Sequence, residues 1–243
     1  MYISPIFVWN VVYCSSKNII GLSATPETKY NNNCVSPFQQ FKETYRVDDF
    51  KVSESYQKTL ELLYFNEDVP SPIEEKTGRV SFMKLALYLS HQQYWNDRII
   101  NKITEKYNEF SDFRCVVFTR FKEHNWYLFE HTAVDNKFIV DGDNTKTNQA
   151  VIEALPDHYI IFTTYSYFST GIDVPSLNSL IITLPTKNKF KQVIGRILWS
   201  DGGKYALDIS DNNRTCDNQL AIRIGVYTTK GFELSNFENE EFQ

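Results

Sequence analysis

Residues 159–184 read "YIIFTTYSYFSTGIDVPSLNSLIITL", in which two apolar runs flank a segment rich in hydroxyl groups. Short apolar runs with β-branched side chains are typical of strands that are buried on both faces of a sheet. Similar runs occur elsewhere in the chain: "NIIGL" (18–22), "RCVVFT" (114–119), "KFIV" (137–140) and "KYALDI" (204–209). Together these runs predict one parallel sheet.

Segments with helical spacing lie between the strands, near residues 79–90, 93–110, 121–132, 145–154, 187–198 and 214–230. Strands that alternate with helices of this length form βαβ crossovers. The sequence therefore predicts an α/β fold whose parallel sheet is covered by helices. Residues 28–77 break the alternation with turn-rich stretches such as "KYNNNCVSPF", so they predict a linker with short strand or helix pieces of its own.

The composition excludes several classes of protein. A chain of 243 residues can bury one core, or one core and a fragment of a second. Its net charge of −5 argues against nucleic-acid binding through overall charge alone. The basic residues of 187–196 could still form a local basic surface. The cysteines lack zinc-ligand spacing and predict free thiols. Because no long apolar run and no signal peptide occur, a soluble, intracellular protein without a membrane partner is expected.

The loop between the two strands of residues 159–184 is the first candidate site. Loops at the carboxyl ends of parallel strands form the ligand crevice of open sheets. Gly171 would let the backbone approach a ligand closely, and Asp173 would accept hydrogen bonds from sugar hydroxyls. The alternative explanation is a tight turn that ends at a proline.

The second candidate site is "PTKNKFKQVIGRILW" (185–199), which leads from a strand into a helix. Gln192, Arg196 and Trp199 are spaced by four and three residues, so they share one helix face. A guanidinium beside Gly195 can approach a phosphate and bind it through two hydrogen bonds. A surface arginine in water is the simpler explanation of this stretch taken alone.

The third candidate site is "VVFTRFKEH" (116–124), a buried strand that delivers Arg120 to the start of a helix. The positive N-terminus of that helix favours a phosphate. Taken alone, this stretch is also explained by a strand-to-helix turn with Arg120 in water.

In chain order, "GLSATPET", "VVFTRFKEH", "TYSYFSTGIDVP" and "QVIGRI" resemble the ordered motifs of DExH-type superfamily 2 helicases, as found in large DNA viruses and phages. They match the Ser-Ala-Thr motif, the first strand of the second RecA-like domain, the TxxxxxGxD motif and the QxxGRxxR motif. The later "ALDISDNN" and "RIGVYTTKGFEL" are similar to the segments that close such domains. The resemblance covers roughly Asn18 to Leu234.

The resemblance implies four regions of the chain. Residues 1–30 are a remnant of the first RecA-like domain, 31–77 a linker, 78–232 the C-terminal RecA-like domain of the helicase and 233–243 an acidic tail. Residues 1–30 are expected to be the least well packed, because their strand would normally pair within the sheet of the first domain. For a viral protein, the expected location is the cytoplasm, the viral factory or the virion.

The resemblance also assigns roles to individual residues. In this family, two RecA-like domains hold ATP between them and bind a nucleic-acid strand across both. Gln192 and Arg196 would act on the ATP phosphates, and the nucleotide would also contact Gly171, Asp173 and Gly195. Nucleic acid would lie against Arg120, His124, Thr164, Lys187 and Lys189. Ser23 and Thr25 would couple the two domains, and no residue is assigned to a metal.

The chain departs from the family at two points. It contains no GxxxxGK[ST] P-loop and no Asp-Glu dipeptide for a DExH box. ATP and Mg²⁺ are therefore expected as cofactors only when a separate chain supplies both motifs, and this chain alone is not expected to hydrolyse ATP. Trp199 stands at the final arginine of QxxGRxxR, which predicts slow hydrolysis even in a completed enzyme.

Two functions follow from the sequence. The first is the C-terminal part of an ATP-dependent helicase, from a split or truncated gene, with single- or double-stranded DNA or RNA as its partner. The alternative is a non-enzymatic interaction scaffold derived from a helicase domain, in which the acidic residues 43–75 and the first strand bind another protein.

Overall fold

The computed structural model describes residues 56–66, 69–70, 72–73, 78, 80–143, 145–171, 173–186, 190–198 and 200–240. They belong to a compact unit that spans Tyr56–Gln243. The "NIIGL" strand, the Ser-Ala-Thr motif and residues 31–55 of the predicted linker lie outside the described residues.

Seven strands of this unit form one parallel sheet in the order β3-β4-β2-β5-β6-β1-β7. The strands are β1 (Lys58–Phe65), β2 (Arg114–Thr119), β3 (Lys137–Ile139), β4 (Tyr159–Thr164), β5 (Ser179–Ile182), β6 (Lys204–Asp211) and β7 (Glu233–Glu240). Strands β4, β5 and β6 are buried along their full length, as their apolar sequences predict.

Helices cover both faces of the sheet. They are α1 (Phe82–Ser90), α2 (Gln93–Glu109), α3 (Lys122–His131), α4 (Thr145–Glu153), α5 (Tyr165–Gly171), α6 (Phe190–Ile197) and α7 (Arg214–Thr229). The alternation of side chains along β2 sends Val116 and Phe118 into one core and Cys115 and Val117 into the other. The predicted α/β fold with a covered parallel sheet is therefore confirmed.

Three elements differ from the sequence prediction. Strand β1 falls within the predicted linker, yet it pairs with both β6 and β7. Strand β7 falls within the predicted acidic tail and forms an edge of the sheet. Helix α5 occupies the stretch after β4 that was predicted as a loop. These segments gain their structure from partners that are distant in sequence.

A buried group of charges explains why β1 accepts an acidic residue. Glu61 is 3% exposed, and its carboxylate lies 3.2 Å from Lys102 Nζ and 3.1 Å from Lys106 Nζ. The hydroxyl of Tyr205 donates to it at 2.8 Å. Burial alone would raise the pKa of Glu61, but hydrogen bonds from Tyr205 and Lys106 and the charges of both lysines bring it below its ordinary value of 4.5. These contacts fasten α2 to the sheet.

Replacing Glu61 with Gln is expected to lower the free energy of unfolding by about 1.5–3 kcal/mol at pH 7, because two buried ammonium groups lose their shared carboxylate. Since the folded-state pKa lies below the ordinary value, this contribution is present above pH 4.5 and is lost as the pH falls through the folded pKa. Urea unfolding between pH 3 and pH 7 measures it. The control is Glu105→Gln, which removes a carboxylate that is 48% exposed and touches the same lysines; an equal loss in both variants would contradict the prediction.

Candidate nucleotide and nucleic-acid site

Arg196 connects the two segments that carry the candidate nucleotide residues. One of its terminal nitrogens, Nη1, donates to the carbonyl of Phe168 on α5 at 2.6 Å, and its guanidinium carbon lies 4.9 Å from the centre of the Phe168 ring. Burial lowers the pKa of Arg196, and the negative charge of Asp173 acts in the opposite direction. The guanidinium therefore lies between α5 and α6 and within the field of the exposed carboxylate of Asp173.

The other nucleotide candidates lie on the same two helices. Gly171 is the last residue of α5, and Gln192 lies one turn before Arg196 on α6. The apolar side of α6 is buried in the core, which leaves Gln192 and Arg196 half-buried on the opposite side. Outside its own helix backbone and chain neighbours, a methyl group built on Gly195 would meet none of the atoms that the structure describes within 4 Å, so their packing does not require a glycine there. The space would admit a ligand close to the helix backbone.

Arg120 projects from the carboxyl end of β2 and is held by the start of α1. Its Nε and Nη2 lie 3.1 Å and 3.0 Å from the sulfur of Met83. Its guanidinium carbon lies 4.6 Å from the centre of the Phe82 ring, a cation–π contact. Burial lowers the pKa of Arg120. Within the described part of the chain, no carboxylate forms an ion pair with Arg120, so its charge suits an external anion.

Two of the predicted nucleic-acid residues, His124 and Thr164, have buried side chains. His124 is 3% exposed, and its Nε2 lies 2.8 Å from the side-chain oxygen of Asn96 on α2. Burial lowers the pKa of His124 to about 3, with a smaller effect from His91, so the imidazole is neutral at pH 7. Thr164 is 7% exposed at the end of a strand that is buried on both faces. Neither side chain is available to a nucleic-acid strand in this structure.

The remaining predicted residues, Lys187, Lys189, Ser23 and Thr25, lie outside the described residues, as does Trp199. Among the residues that the structure describes, no group of three or more His, Cys, Asp or Glu side chains could hold a metal ion. No helix in the described part is long and apolar enough to cross a membrane.

The sequence prediction missed a buried ion pair next to the site. Arg223 on α7 donates to both carboxylate oxygens of Asp208 on β6, each at 2.7 Å, and both side chains are fully buried. Its third contact is a 2.7 Å hydrogen bond to the carbonyl of Thr186. Burial alone would lower the pKa of Arg223, but the charge and hydrogen bonds of Asp208 raise it. The sequence does hint at this pair, because a single charged residue lies inside each of two apolar stretches, "YALDIS" and "AIRIGV".

Comparison with known proteins finds relatives in poxviruses. No family model matches the chain. It is 27% identical over 158 residues to transcript termination protein A18 of Yaba-like disease virus, a match that covers 60% of this chain and 33% of that protein. It is 32% identical over 118 residues to transcript termination protein OPG145 of variola virus, over 45% of this chain and 24% of that protein. The chain thus spans a third or less of the length of these curated relatives.

Among solved structures, the crystal structure of T4 UvsW has a similar fold, with a TM-score of 0.54 and 19% sequence identity. The match covers 75% of this chain and 41% of that chain. At this identity the likeness concerns the fold alone. It agrees with the parallel sheet described above.

Proposed function

We propose that this chain, which has the fold of the C-terminal half of a superfamily 2 helicase, supplies nucleic-acid contacts and part of the γ-phosphate contacts of an ATP-dependent helicase. The observation that carries the proposal is the position of Arg196. Its guanidinium joins α5 to α6 and lies in the field of Asp173, the residue that matches the acidic position of the TxxxxxGxD motif. The resemblance assigns both groups to the same nucleotide, so they would have to face one ligand.

The side chains fit the two ends of a nucleoside triphosphate. Asp173 is exposed and can accept hydrogen bonds from ribose hydroxyls. Gln192 and Arg196 can donate to phosphate oxygens, and the fixed positive charge of Arg196 would stabilise negative charge on the γ-phosphate. The P-loop lysine and the carboxylates that hold Mg²⁺ come from another chain or domain in this proposal. ATP supplies the transferable phosphoryl group when that domain is present.

Arg120 is the proposed nucleic-acid contact among the described residues. It lies at the carboxyl edge of the sheet with Phe82 and Met83 fixing its orientation. In this proposal Lys187 and Lys189 would add further phosphate contacts. Such contacts do not depend on base sequence and weaken as the salt concentration rises. The poxvirus relatives are named as transcript termination proteins, which supports a nucleic-acid substrate.

Fluorescence anisotropy with labelled single-stranded DNA, single-stranded RNA and duplex DNA tests the proposal. We expect weak binding. The logarithm of the association constant should fall linearly with the logarithm of the KCl concentration. For single strands, Arg120→Ala is expected to make the slope shallower by about 0.7, the value of one lost phosphate contact. The control is Arg114→Ala, at the opposite end of the same strand, where the arginine already pairs with Asp112 at 2.8 Å.

Two results would contradict the nucleic-acid part of the proposal. One is the absence of binding to all three ligands at 20 mM KCl. The other is an equal change of slope in the Arg120→Ala and Arg114→Ala variants, which would mean that the two ends of β2 contribute alike.

A further inference from the structure

The ion pair of Asp208 and Arg223 lies where the segments of the proposed site meet. Thr186, whose carbonyl accepts from Arg223, comes directly before the segment that carries Lys187 and Lys189 and leads into α6. One turn after Arg223, the ring of Tyr227 packs edge-on against Phe190, the first residue of α6, with ring centres 5.0 Å apart. Helix α7 therefore contacts the chain at Thr186, which follows β5, and at the first residue of α6.

Stability alone is a poor explanation for this pair. Two charges with no exposure to water are expensive to bury, and apolar residues of similar volume commonly replace such a pair without loss of stability. Apolar residues cannot, however, reproduce the hydrogen bond to the Thr186 carbonyl. That bond joins the pair to the chain shortly before α6 begins.

The N-terminus of α5 lies close to the same pair. Tyr165, the first residue of α5, stacks on Phe118 with ring centres 4.9 Å apart. Burial raises the pKa of Tyr165, and the charges of Arg223 and Asp208 act on it in opposite directions. The charges of the pair thus act on the first residue of α5, and its hydrogen bond holds Thr186 shortly before α6.

We propose that Arg223, anchored by Asp208, is a positioning residue of the candidate site. Arg223 binds the Thr186 carbonyl, and Tyr227 one turn later on α7 packs against Phe190, so Arg223 helps to fix where α6 begins and the direction in which Gln192 and Arg196 point. This inference rests on the proposed function for its effect on activity, but its structural part can be measured without activity.

The test compares the wild-type chain with the double variant Asp208→Leu/Arg223→Met and with Arg223→Lys. The double variant removes both charges together, so it is expected to keep the melting temperature near that of the wild type. Arg223→Lys keeps a cation for Asp208 but loses the planar group that also reaches Thr186. Melting temperature, amide hydrogen exchange of residues 190–197 and ATP hydrolysis with an added P-loop domain are measured for each chain.

We expect both variants to lose hydrogen-exchange protection in α6 while the amides of β4 and β5 keep theirs. ATP hydrolysis is expected to fall about 10- to 100-fold in the double variant despite its normal melting temperature, as is found when reacting groups are displaced by about 1 Å. If the pair served stability alone, a variant with the melting temperature of the wild type would also show wild-type hydrogen exchange in α6 and wild-type ATP hydrolysis. That result would overturn the inference.

The two proposals fail in different ways. If the wild-type chain with the P-loop domain hydrolyses no ATP, the proposed function is wrong and the exchange of α6 alone decides the role of Arg223. If the double variant does not fold, Arg223→Lys decides it, because unchanged protection of α6 in that folded variant would also overturn the inference.

Discussion

The Trp95→Ala chain should unfold with a free energy about 3–5 kcal/mol below that of the wild type, the usual cost of removing a buried tryptophan. Trp95 has no exposure to solvent. Its ring stacks on Phe65 with centres 4.6 Å apart, and its Nε1 donates to the Thr183 carbonyl at 3.0 Å. The substitution leaves a cavity between α2 and the carboxyl ends of β1 and β5. For a unit of this size, the expected fall in melting temperature is about 6–20 °C.

Trp126→Ala is the matched control for this prediction. Trp126 is 43% exposed and packs edge-on against Phe129 at 5.7 Å. Its removal is expected to cost about 1 kcal/mol or less. Trp95→Phe keeps a ring on Phe65 but loses the bond to Thr183, so it should fall between the two. Similar losses in the Trp95→Ala and Trp126→Ala chains would show that the core between α2 and the sheet is not as described.

The second large effect concerns ATP hydrolysis. The chain alone is expected to show no hydrolysis that nucleic acid stimulates. With a separate superfamily 2 domain that carries a P-loop and a DExH box, slow hydrolysis is expected. Trp199→Arg should then raise kcat by about 10³-fold or more, because it restores a guanidinium at a position whose arginine is worth 10³–10⁵ in related phosphoryl transfers. A coupled assay for ADP release, with and without single-stranded DNA or RNA, measures each rate.

Arg196→Ala should lower the rate of the completed enzyme by about 10²- to 10³-fold, the usual cost of removing one donor to developing negative charge. The control is Arg214→Ala, which removes an exposed arginine at the start of α7. The ATPase proposal would be abandoned if Arg196→Ala and Arg214→Ala had the same rate, or if the chain alone hydrolysed ATP quickly and Arg196→Ala abolished that activity.

The central strands could be predicted from sequence because their own side chains carry the signal. Each of β2, β4, β5 and β6 is an apolar run that is buried in the structure. Strand β1 gave no such signal, since Glu61 interrupts its apolar run. The lysine and the tyrosine that make Glu61 acceptable lie 41 and 144 residues away. Strand β7, "ELSNFENE", is polar, and among the strands that the structure describes it pairs with β1 alone.

For the candidate site, too, some features could be predicted from the sequence and others could not. The motif match assigns Asp173 and Arg196 to one nucleotide site, and in the structure the negative charge of Asp173 acts on the Arg196 guanidinium. The burial of His124 could not be predicted from its own stretch, because it depends on Asn96 from a different helix. Asp208 and Arg223 were overlooked for a related reason: each is an isolated charge in its own segment, and only the folded chain brings them into contact.

During synthesis on the ribosome, β1 is made long before the strands with which it pairs. Glu61 must meet Tyr205, which is 144 residues further along the chain. At a translation rate of about 5–20 residues per second, that partner emerges roughly 7–30 s later. Throughout this interval the leucines of β1 have neither β6 nor β7 to pair with. A nascent chain of this protein therefore carries the leucines of β1 for seconds without the strands that bury them.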